Sequence, residues 1–247
     1  MQSTALRKIS RLFAAGGLAL AASSCSPNPE PSRFDDTGQL VALSGGNAGA
    51  QSACHTCHGL DGAGDGNLTP RLAGLEAGYL ARQMIFFSDG LRHHAAMSWI
   101  ASQLTSEQRM IVADYYAGME WQPADLQPAV NYVCDGNAAR LYQLGDPARG
   151  IEACATCHGE DGRGVGFGNP DIYGQPAPYV ATQLRHWREG ERYGDPMGVM
   201  LREAQRLEED EIKPLADYVA SLRGMSRRPG YREGCPEPRR PDSRNGA

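Results

Sequence analysis

The sequence predicts an all-α protein that contains two copies of one unit of about 90 residues. No segment alternates polar and apolar residues over the length of a strand, whereas several segments repeat apolar residues at helical spacing. A five-residue motif at 54–58 recurs at 154–158 of the 247-residue chain, in similar surroundings. A chain of that length suits two domains of about 100 residues each.

Three segments carry the clearest helical patterns. Apolar residues share one face of 76–88, and the same holds for 105–118 and 208–222. Thr105 and Gln108 match a capping box at the start of the second segment. The third segment opens with a run of acidic residues, which favours a helix N-terminus there.

The two copies align residue for residue over most of the unit. At an offset of 100 the identical pairs include Cys54/Cys154, Cys57/Cys157, His58/His158, Pro70/Pro170, Tyr79/Tyr179, Gln83/Gln183 and Arg92/Arg192. The second copy then gains three residues, which places Met97 opposite Met200. This pattern indicates a tandem duplication.

Each copy contains one Cys-x-x-Cys-His motif, and the motif is the main functional clue. Its residues are Cys54, Cys57 and His58 in the first copy and Cys154, Cys157 and His158 in the second. A zinc ribbon needs two cysteine pairs in one small unit, a thioredoxin-like pair needs strands, and a simple disulfide leaves the histidine unexplained. Covalent haem c uses all three residues, because the cysteines form thioethers and the histidine binds the iron. We therefore predict two haem c groups.

The second axial ligand of each iron is predicted from the repeat. Met97 and Met200 align with each other, and both fall in a predicted loop before the last helix of their copy. The alternatives are Met197, His93 and His94, but neither residue type recurs in both copies. An iron with both axial positions filled exchanges electrons and binds no substrate, so the pattern indicates an electron carrier and not an enzyme.

These motifs make the chain similar to the class I cytochromes c, in particular the two-haem cytochrome c4 group, over about residues 30–222. The resemblance implies two cytochrome c-like domains, each with a few helices around a covalently bound haem. It also implies that Pro70 and Pro170 orient the iron-binding histidines through their carbonyl groups. It places four further residues in the haem environment, with the arginines at the propionates: Tyr79, Tyr179, Arg92 and Arg192.

The predicted organisation has six parts. They are a signal peptide of lipoprotein type at 1–24, a flexible tether at 25–33, a first cytochrome c domain at 34–119, a linker at 120–129, a second cytochrome c domain at 130–225 and an arginine-rich tail at 226–247.

The N-terminal segment predicts export to the periplasm. Basic residues precede an apolar run over 12–22, which is too short to span a membrane as a helix. Small residues before Cys25 resemble a lipoprotein cleavage site, so we expect Cys25 to carry a lipid that tethers the protein to a membrane. The alternative is an ordinary signal peptide and a soluble periplasmic protein. In an oxidising compartment the remaining Cys134 and Cys235 are a possible disulfide.

The charge balance limits the classes of partner. The formal net charge is −5, which argues against nucleic acid binding. The expected partners are redox proteins, with a quinol-oxidising complex or a periplasmic dehydrogenase as donor and a terminal oxidase or reductase as acceptor. Two alternatives remain open: a dihaem enzyme of the peroxidase or thiosulfate-oxidising type, and a cytochrome subunit of a larger dehydrogenase or oxidase complex.

Overall fold

The computed structural model describes residues 36–121, 136–166, 168–195 and 197–222. The predicted signal peptide, the tether, the arginine-rich tail and most of the linker lie outside these residues. Cys25, Cys134 and Cys235 also lie outside them, so their predicted lipidation and disulfide stay predictions. No helix within the described ranges has both the length and the apolar character needed to cross a membrane.

The described chain is helical in both repeats. The first repeat contains α1 (Gly38–Ser44), α2 (His55–His58), α3 (Ala77–Ser88), α4 (Ala95–Gln103) and α5 (Ser106–Ala117), with two short 3-10 turns between α1 and α2. The second repeat contains α6 (Gly136–Leu144), α7 (Ala155–His158), α8 (Ala177–Glu189), α9 (Val199–Gln205) and α10 (Glu209–Ser221). Within the described ranges no strand forms, which confirms the predicted all-α fold.

The three helices with the clearest patterns are confirmed. They are α3, α5 and α10, and their bounds differ from the predicted ones by at most one residue at each end. The capping box at α5 is present. The Thr105 hydroxyl accepts from the Gln108 backbone N–H, and the Gln108 side-chain oxygen accepts from the Thr105 backbone N–H. Two orphan N–H groups of the helix N-terminus are thereby satisfied.

The predicted loops around Met97 and Met200 are wrong in secondary structure. Met97 lies in the first turn of α4 and Met200 in the first turn of α9. Both helices are short, with 9 and 7 residues, and each begins at an atypical cap, His94 or Gly198. Such short helices depend on tertiary packing more than on sequence pattern.

Each repeat has its own hydrophobic core beside its Cys-x-x-Cys-His turn. In the first repeat α3 and α1 pack on α5, around Val41, Leu80 and Val112. In the second repeat α8 and α6 pack on α10, around Ile212 and Leu215. The two cores are equivalent, and each turn that carries the cysteines packs against the core of its own repeat.

Candidate haem-binding sites

The two Cys-x-x-Cys-His motifs fold into matching single helical turns. The His58 backbone N–H donates to the Cys54 carbonyl at 2.9 Å, and His158 donates to Cys154 at 2.9 Å. Residues three apart on a helix share a face, so the two cysteines of each motif lie side by side. Gly59 ends the first turn with a φ of 80°, a conformation that favours glycine.

The glycine-rich loop after each turn folds back onto the motif histidine. The backbone N–H groups of Leu72 and Ala73 both donate to the Gly62 carbonyl, at 2.8 and 3.1 Å. This return brings the Pro70 carbonyl oxygen to 3.0 Å from Nδ1 of His58. The second repeat builds the same return on Gly162.

The equivalent contact in the second repeat joins Nδ1 of His158 to the Pro170 carbonyl oxygen at 2.9 Å. A carbonyl oxygen only accepts hydrogen bonds, so Nδ1 of each histidine carries the proton. Nε2 is therefore the unprotonated nitrogen of both rings, which is the form that binds a metal ion. The carbonyls of Pro70 and Pro170 thus lie beside the two histidines, and their predicted role at a haem stays a prediction.

Burial favours the neutral form of both motif histidines. The side chains lie beneath the surface, and burial lowers the pKa of His58 and of His158 even though the proline carbonyls act to raise both. The neutral imidazole is favoured, so no proton competes for Nε2 near neutral pH. The charge of Arg192 further lowers the pKa of His158.

The first cysteine of each motif is a half-buried, protonated thiol. Cys54, Cys57, Cys154 and Cys157 form no disulfide with one another. Burial raises the pKa of the Cys54 thiol to about 11 and that of Cys154 to about 12. A redox-active cysteine pair relies on a thiol with a lowered pKa, so the raised pKa values of Cys54 and Cys154 argue against thiol–disulfide exchange at either motif.

The backbone N–H of each aligned methionine donates to a side chain that precedes it in the sequence. The Met97 backbone N–H donates to Nδ1 of His94 at 3.3 Å, and the Met200 backbone N–H donates to the Asp195 carboxylate at 2.6 Å. His94 therefore acts as a helix cap, which occupies one of its ring nitrogens. The rival Met197 is 76% exposed, whereas Met200 is half-buried.

Arg92 and Arg192 meet each other at the boundary between the repeats, in a cluster we call the arginine contact. Their backbones form an isolated antiparallel bridge. The Arg92 guanidinium donates to Oε1 of Gln83 in its own repeat at 2.7 Å, and to the Tyr179 hydroxyl and Oε1 of Gln183 in the other at 2.9 and 2.8 Å. The Arg192 guanidinium makes the same set in reverse: Gln183 at 2.9 Å, Tyr79 at 3.1 Å and Gln83 at 3.4 Å.

The arginine contact holds two buried positive charges among neutral partners. Arg92 is 7% exposed and Arg192 is 8% exposed. Burial lowers the pKa of Arg192, and the charge of Arg92 lowers it further. Burial acts to raise the pKa of Tyr179, yet the two guanidiniums together lower it. The cluster therefore attracts anions, and the carboxylates of a haem are anions of that kind.

Sequence reasoning missed a second cluster between the repeats, which we call the Arg71 contact. Arg71 is fully buried and donates to Asp171 at 3.0 Å and to the Tyr173 carbonyl at 2.9 Å. Its guanidinium lies over the Trp121 ring, 4.4 Å from the ring centre. The Gln175 side-chain amide binds the Arg71 backbone twice, since its oxygen accepts from the Arg71 N–H and its nitrogen donates to the Arg71 carbonyl. The sequence feature that could have indicated this contact is the opposite charge of Arg71 and Asp171 at aligned positions.

Comparisons with known proteins agree with this architecture. The family model described as "Cytochrome c" matches residues 148–223. A "Thiosulfate dehydrogenase electron acceptor" of Stutzerimonas stutzeri is 38% identical over 188 residues, which cover 75% of this chain and 86% of that protein. A "Cytochrome c4" of Pseudomonas aeruginosa is 34% identical, over 74% of this chain and 92% of that protein. The chain belongs to the dihaem class I cytochromes c.

Solved structures extend the likeness to the fold. Reduced cytochrome c4 from Pseudomonas stutzeri superposes with a TM-score of 0.63 at 28% identity, over 75% of this chain and 96% of that one. The thiosulfate dehydrogenase TsdBA from Marichromatium purpuratum also gives a TM-score of 0.63, at 38% identity. The match covers 74% of this chain but only 39% of the TsdBA chain. This cytochrome accordingly has two cytochrome c-like domains, binds two haem c groups and carries electrons.

Proposed function

We propose that His58 and Met97 bind the iron of the first haem, and that His158 and Met200 bind the iron of the second. The observation that carries the proposal is the paired hydrogen bond from Nδ1 of each histidine to a proline carbonyl, at 3.0 and 2.9 Å. It fixes the ring orientation and leaves Nε2 for the metal in both repeats. Haem c, when bound, supplies an iron that gains and loses one electron.

The protein groups around each site keep the coordination closed. Met97 and Met200, each in the first turn of a short helix, would complete the ligand set of the iron in their repeat and leave no position there for a substrate molecule. The same histidine and methionine would hold the iron in both oxidation states, so electron transfer would need little rearrangement of the protein. The buried position of each histidine keeps water away from the ligated side.

The arginine contact is the expected site of the haem carboxylates. Arg92 and Arg192 bring two positive charges to the boundary between the repeats, where the hydroxyl oxygens of Tyr179 and Tyr79 each accept a hydrogen bond from a guanidinium. The two positive charges would offset part of the negative charge of the haem carboxylates in a buried place. Both haem edges would then face the same cluster, which provides a short route between the repeats.

We further propose that a dehydrogenase in the periplasm supplies the electrons, with thiosulfate dehydrogenase as the donor to test first. The support is the similarity, at 38% identity, to the thiosulfate dehydrogenase electron acceptors of Stutzerimonas stutzeri and Thiomonas intermedia. A quinol-oxidising complex is the other candidate donor. The acceptor is a terminal oxidase or reductase, and a lipid on Cys25 holds the carrier at the membrane.

Stopped-flow spectroscopy tests the donor directly. Oxidised cytochrome is mixed with thiosulfate dehydrogenase and thiosulfate, and the ferrous absorption is followed with time. We expect reduction of both haems at a rate that rises with dehydrogenase concentration, and no reduction when either the enzyme or thiosulfate is omitted. Reduction by a quinol-oxidising complex with quinol, but not by thiosulfate dehydrogenase, would contradict the proposed donor.

The membrane tether has its own test. Full-length protein and the variant Cys25→Ser are expressed with export intact, and the membrane and soluble fractions are compared. We expect the wild type in the membrane fraction with a mass increase from the lipid, and the variant in the soluble fraction. A wild type that is soluble and unmodified would contradict the anchor without affecting the haem assignments.

A further inference from the structure

The Arg71 contact includes a hydrogen bond that reaches from the second repeat to the histidine loop of the first. The Arg71 backbone N–H donates to Oε1 of Gln175 at 3.1 Å, and Nε2 of Gln175 donates to the Arg71 carbonyl at 3.0 Å. Gln175 is 5% exposed, so water does not compete for these bonds. Two opposed bonds from one amide hold the Arg71 backbone in a single orientation.

The bonded N–H of Arg71 belongs to the same peptide group as the Pro70 carbonyl. That carbonyl accepts from Nδ1 of His58 at 3.0 Å. One peptide group therefore links His58 in the first repeat to Gln175 in the second. Hydrogen bonds arranged in a chain polarise one another, so donation from Arg71 makes the Pro70 oxygen a stronger acceptor.

The histidine loop of the second repeat receives no equivalent contact from the described residues of the first repeat. The aligned residue in the first repeat is Leu75, whose side chain cannot accept a hydrogen bond. Pro170 accepts from His158 at 2.9 Å, but its peptide group receives no bond of this kind from Leu75. The duplicated histidine loops are thus supported differently, although their own geometry is the same.

Two further interactions keep the contact in place. Arg71 donates to the Asp171 carboxylate at 3.0 Å, and this pair is buried, with 1% and 17% of the two side chains exposed. Trp121 covers Gly174, the neighbour of Gln175, so closely that a methyl group there would lie 2.2 Å from the indole. The main chain that precedes Gln175 is therefore held in place.

We propose that Gln175 is a positioning residue for the first haem, strengthening the Pro70–His58 hydrogen bond and lowering the reduction potential of that haem alone. A stronger bond at Nδ1 makes the imidazole a better electron donor, which favours ferric iron. The inference rests on the proposed ligation of iron by His58. Gln175 therefore connects the two repeats and adjusts the reduction potential of the first haem only.

The test is a pair of substitutions with opposite expected effects. Gln175→Met keeps the length of the side chain but removes the acceptor, so the potential of the first haem should rise. Gln175→Glu keeps an acceptor oxygen for Arg71 and should leave that potential at or below the wild-type value. Gln143→Met is the matched control, because Gln143 lies in the second repeat and bonds to Glu160 and Tyr218 instead.

NMR-monitored redox titration reports the two haems separately through their methyl resonances. A rise confined to the first haem in Gln175→Met, with no rise in Gln175→Glu or Gln143→Met, supports the proposal. Equal shifts of both haems, shifts of the same sign in both Gln175 variants, or no shift in either would overturn it. If Gln175 had a purely structural role, both Gln175 variants would have a lower unfolding midpoint, and the potential of the first haem would not rise in Gln175→Met alone.

A second readout needs no substitution. In the ferrous wild type, the Nδ1–H proton of His58 should exchange with solvent more slowly than that of His158. Faster or equal exchange at His58 would overturn the proposal even if Gln175→Met failed to fold. A first haem that lacks a histidine ligand in the wild type would instead refute the proposed ligation, which is a separate result.

Discussion

The two contacts between the repeats differ in symmetry. In the arginine contact each repeat contributes the same three residues, and each guanidinium holds a glutamine of its own repeat and a tyrosine of the other. In the Arg71 contact the aligned positions carry different residues, Arg71 opposite Asp171.

The difference shows how a duplicated protein joins its halves. A symmetric contact needs no change in the repeated sequence, because one surface pairs with its own copy. An asymmetric contact requires complementary changes at aligned positions, and it makes the two repeats unequal. The arginine contact is therefore suited to a function shared by both haems, and the Arg71 contact to setting them apart.

The largest expected effect tests whether the repeats are equal in iron ligation. Met97→Ala should open the first haem to carbon monoxide, and Met200→Ala the second, at one molecule per chain in each case, because each loses its second axial ligand. The wild type and Met197→Ala, which alters an exposed methionine, should bind none. Ferrous spectra with added carbon monoxide measure this. Gas binding at both haems of Met97→Ala, or at neither, would refute the assignment.

Removal of the Arg71 side chain should break the asymmetric contact. Arg71→Ala leaves Asp171 buried without its partner and exposes the stacked face of Trp121. We expect a loss of about 3–5 kcal/mol in the free energy of unfolding, measured with urea. Arg82→Ala is the control, because Arg82 pairs with Glu76 at 3.9 Å on the surface and should lose less than about 1 kcal/mol. Similar losses in both variants would contradict the role of the contact.

The ionisation of Asp171 should make the asymmetric contact sensitive to pH. Burial raises the pKa of Asp171 from 3.8 to about 6, although Arg71 acts to lower it. The folded protein then holds the proton more tightly than the unfolded chain, so this group's contribution to stability falls as the pH rises from about 4 to about 6. The difference in unfolding free energy between wild type and Asp171→Asn should therefore fall by about 2 kcal/mol over that range. A constant difference would show that the carboxyl titrates normally.

The smallest expected effect tests the symmetric contact. Tyr79→Phe and Tyr179→Phe each remove one hydroxyl from a buried guanidinium. Each should lower the free energy of unfolding by about 1.5 kcal/mol, because hydrogen bonds to charged groups are stronger than neutral ones. The two losses should be equal within error in urea titrations. Tyr193→Phe, at an exposed tyrosine, is the control. A large loss in only one of the two variants would show that the contact is not symmetric in energy.

The chemistry of the sites could be predicted from the sequence because it is local. Cys54, Cys57 and His58 lie within five residues, and a repeated motif of that spacing has few chemical uses. The amphipathic helices α3, α5 and α10 could be predicted for the same reason. The helical placement of Met97 and Met200 could not, since α4 and α9 are short and begin at side chains or glycines that give weak signals.

The contacts between the repeats needed the structure. Arg71 and Gln175 are more than 100 positions apart, and their pairing depends on burial and on the orientation of one side chain amide. The position of Arg92 beside Arg192 was also unexpected, because like charges repel and each residue alone is typical of an exposed site. Their shared neutral partners become visible only when both repeats are folded together.

The most direct test of the account is the visible spectrum of the mature wild-type protein, ferric and ferrous, with haem content per chain and added carbon monoxide. Histidine–methionine ligation in both repeats predicts two haems per chain, a methionine–iron charge-transfer band in the ferric form and a ferrous spectrum that the gas leaves unchanged. One haem per chain, or a high-spin fraction that binds carbon monoxide, would contradict a closed two-haem electron carrier.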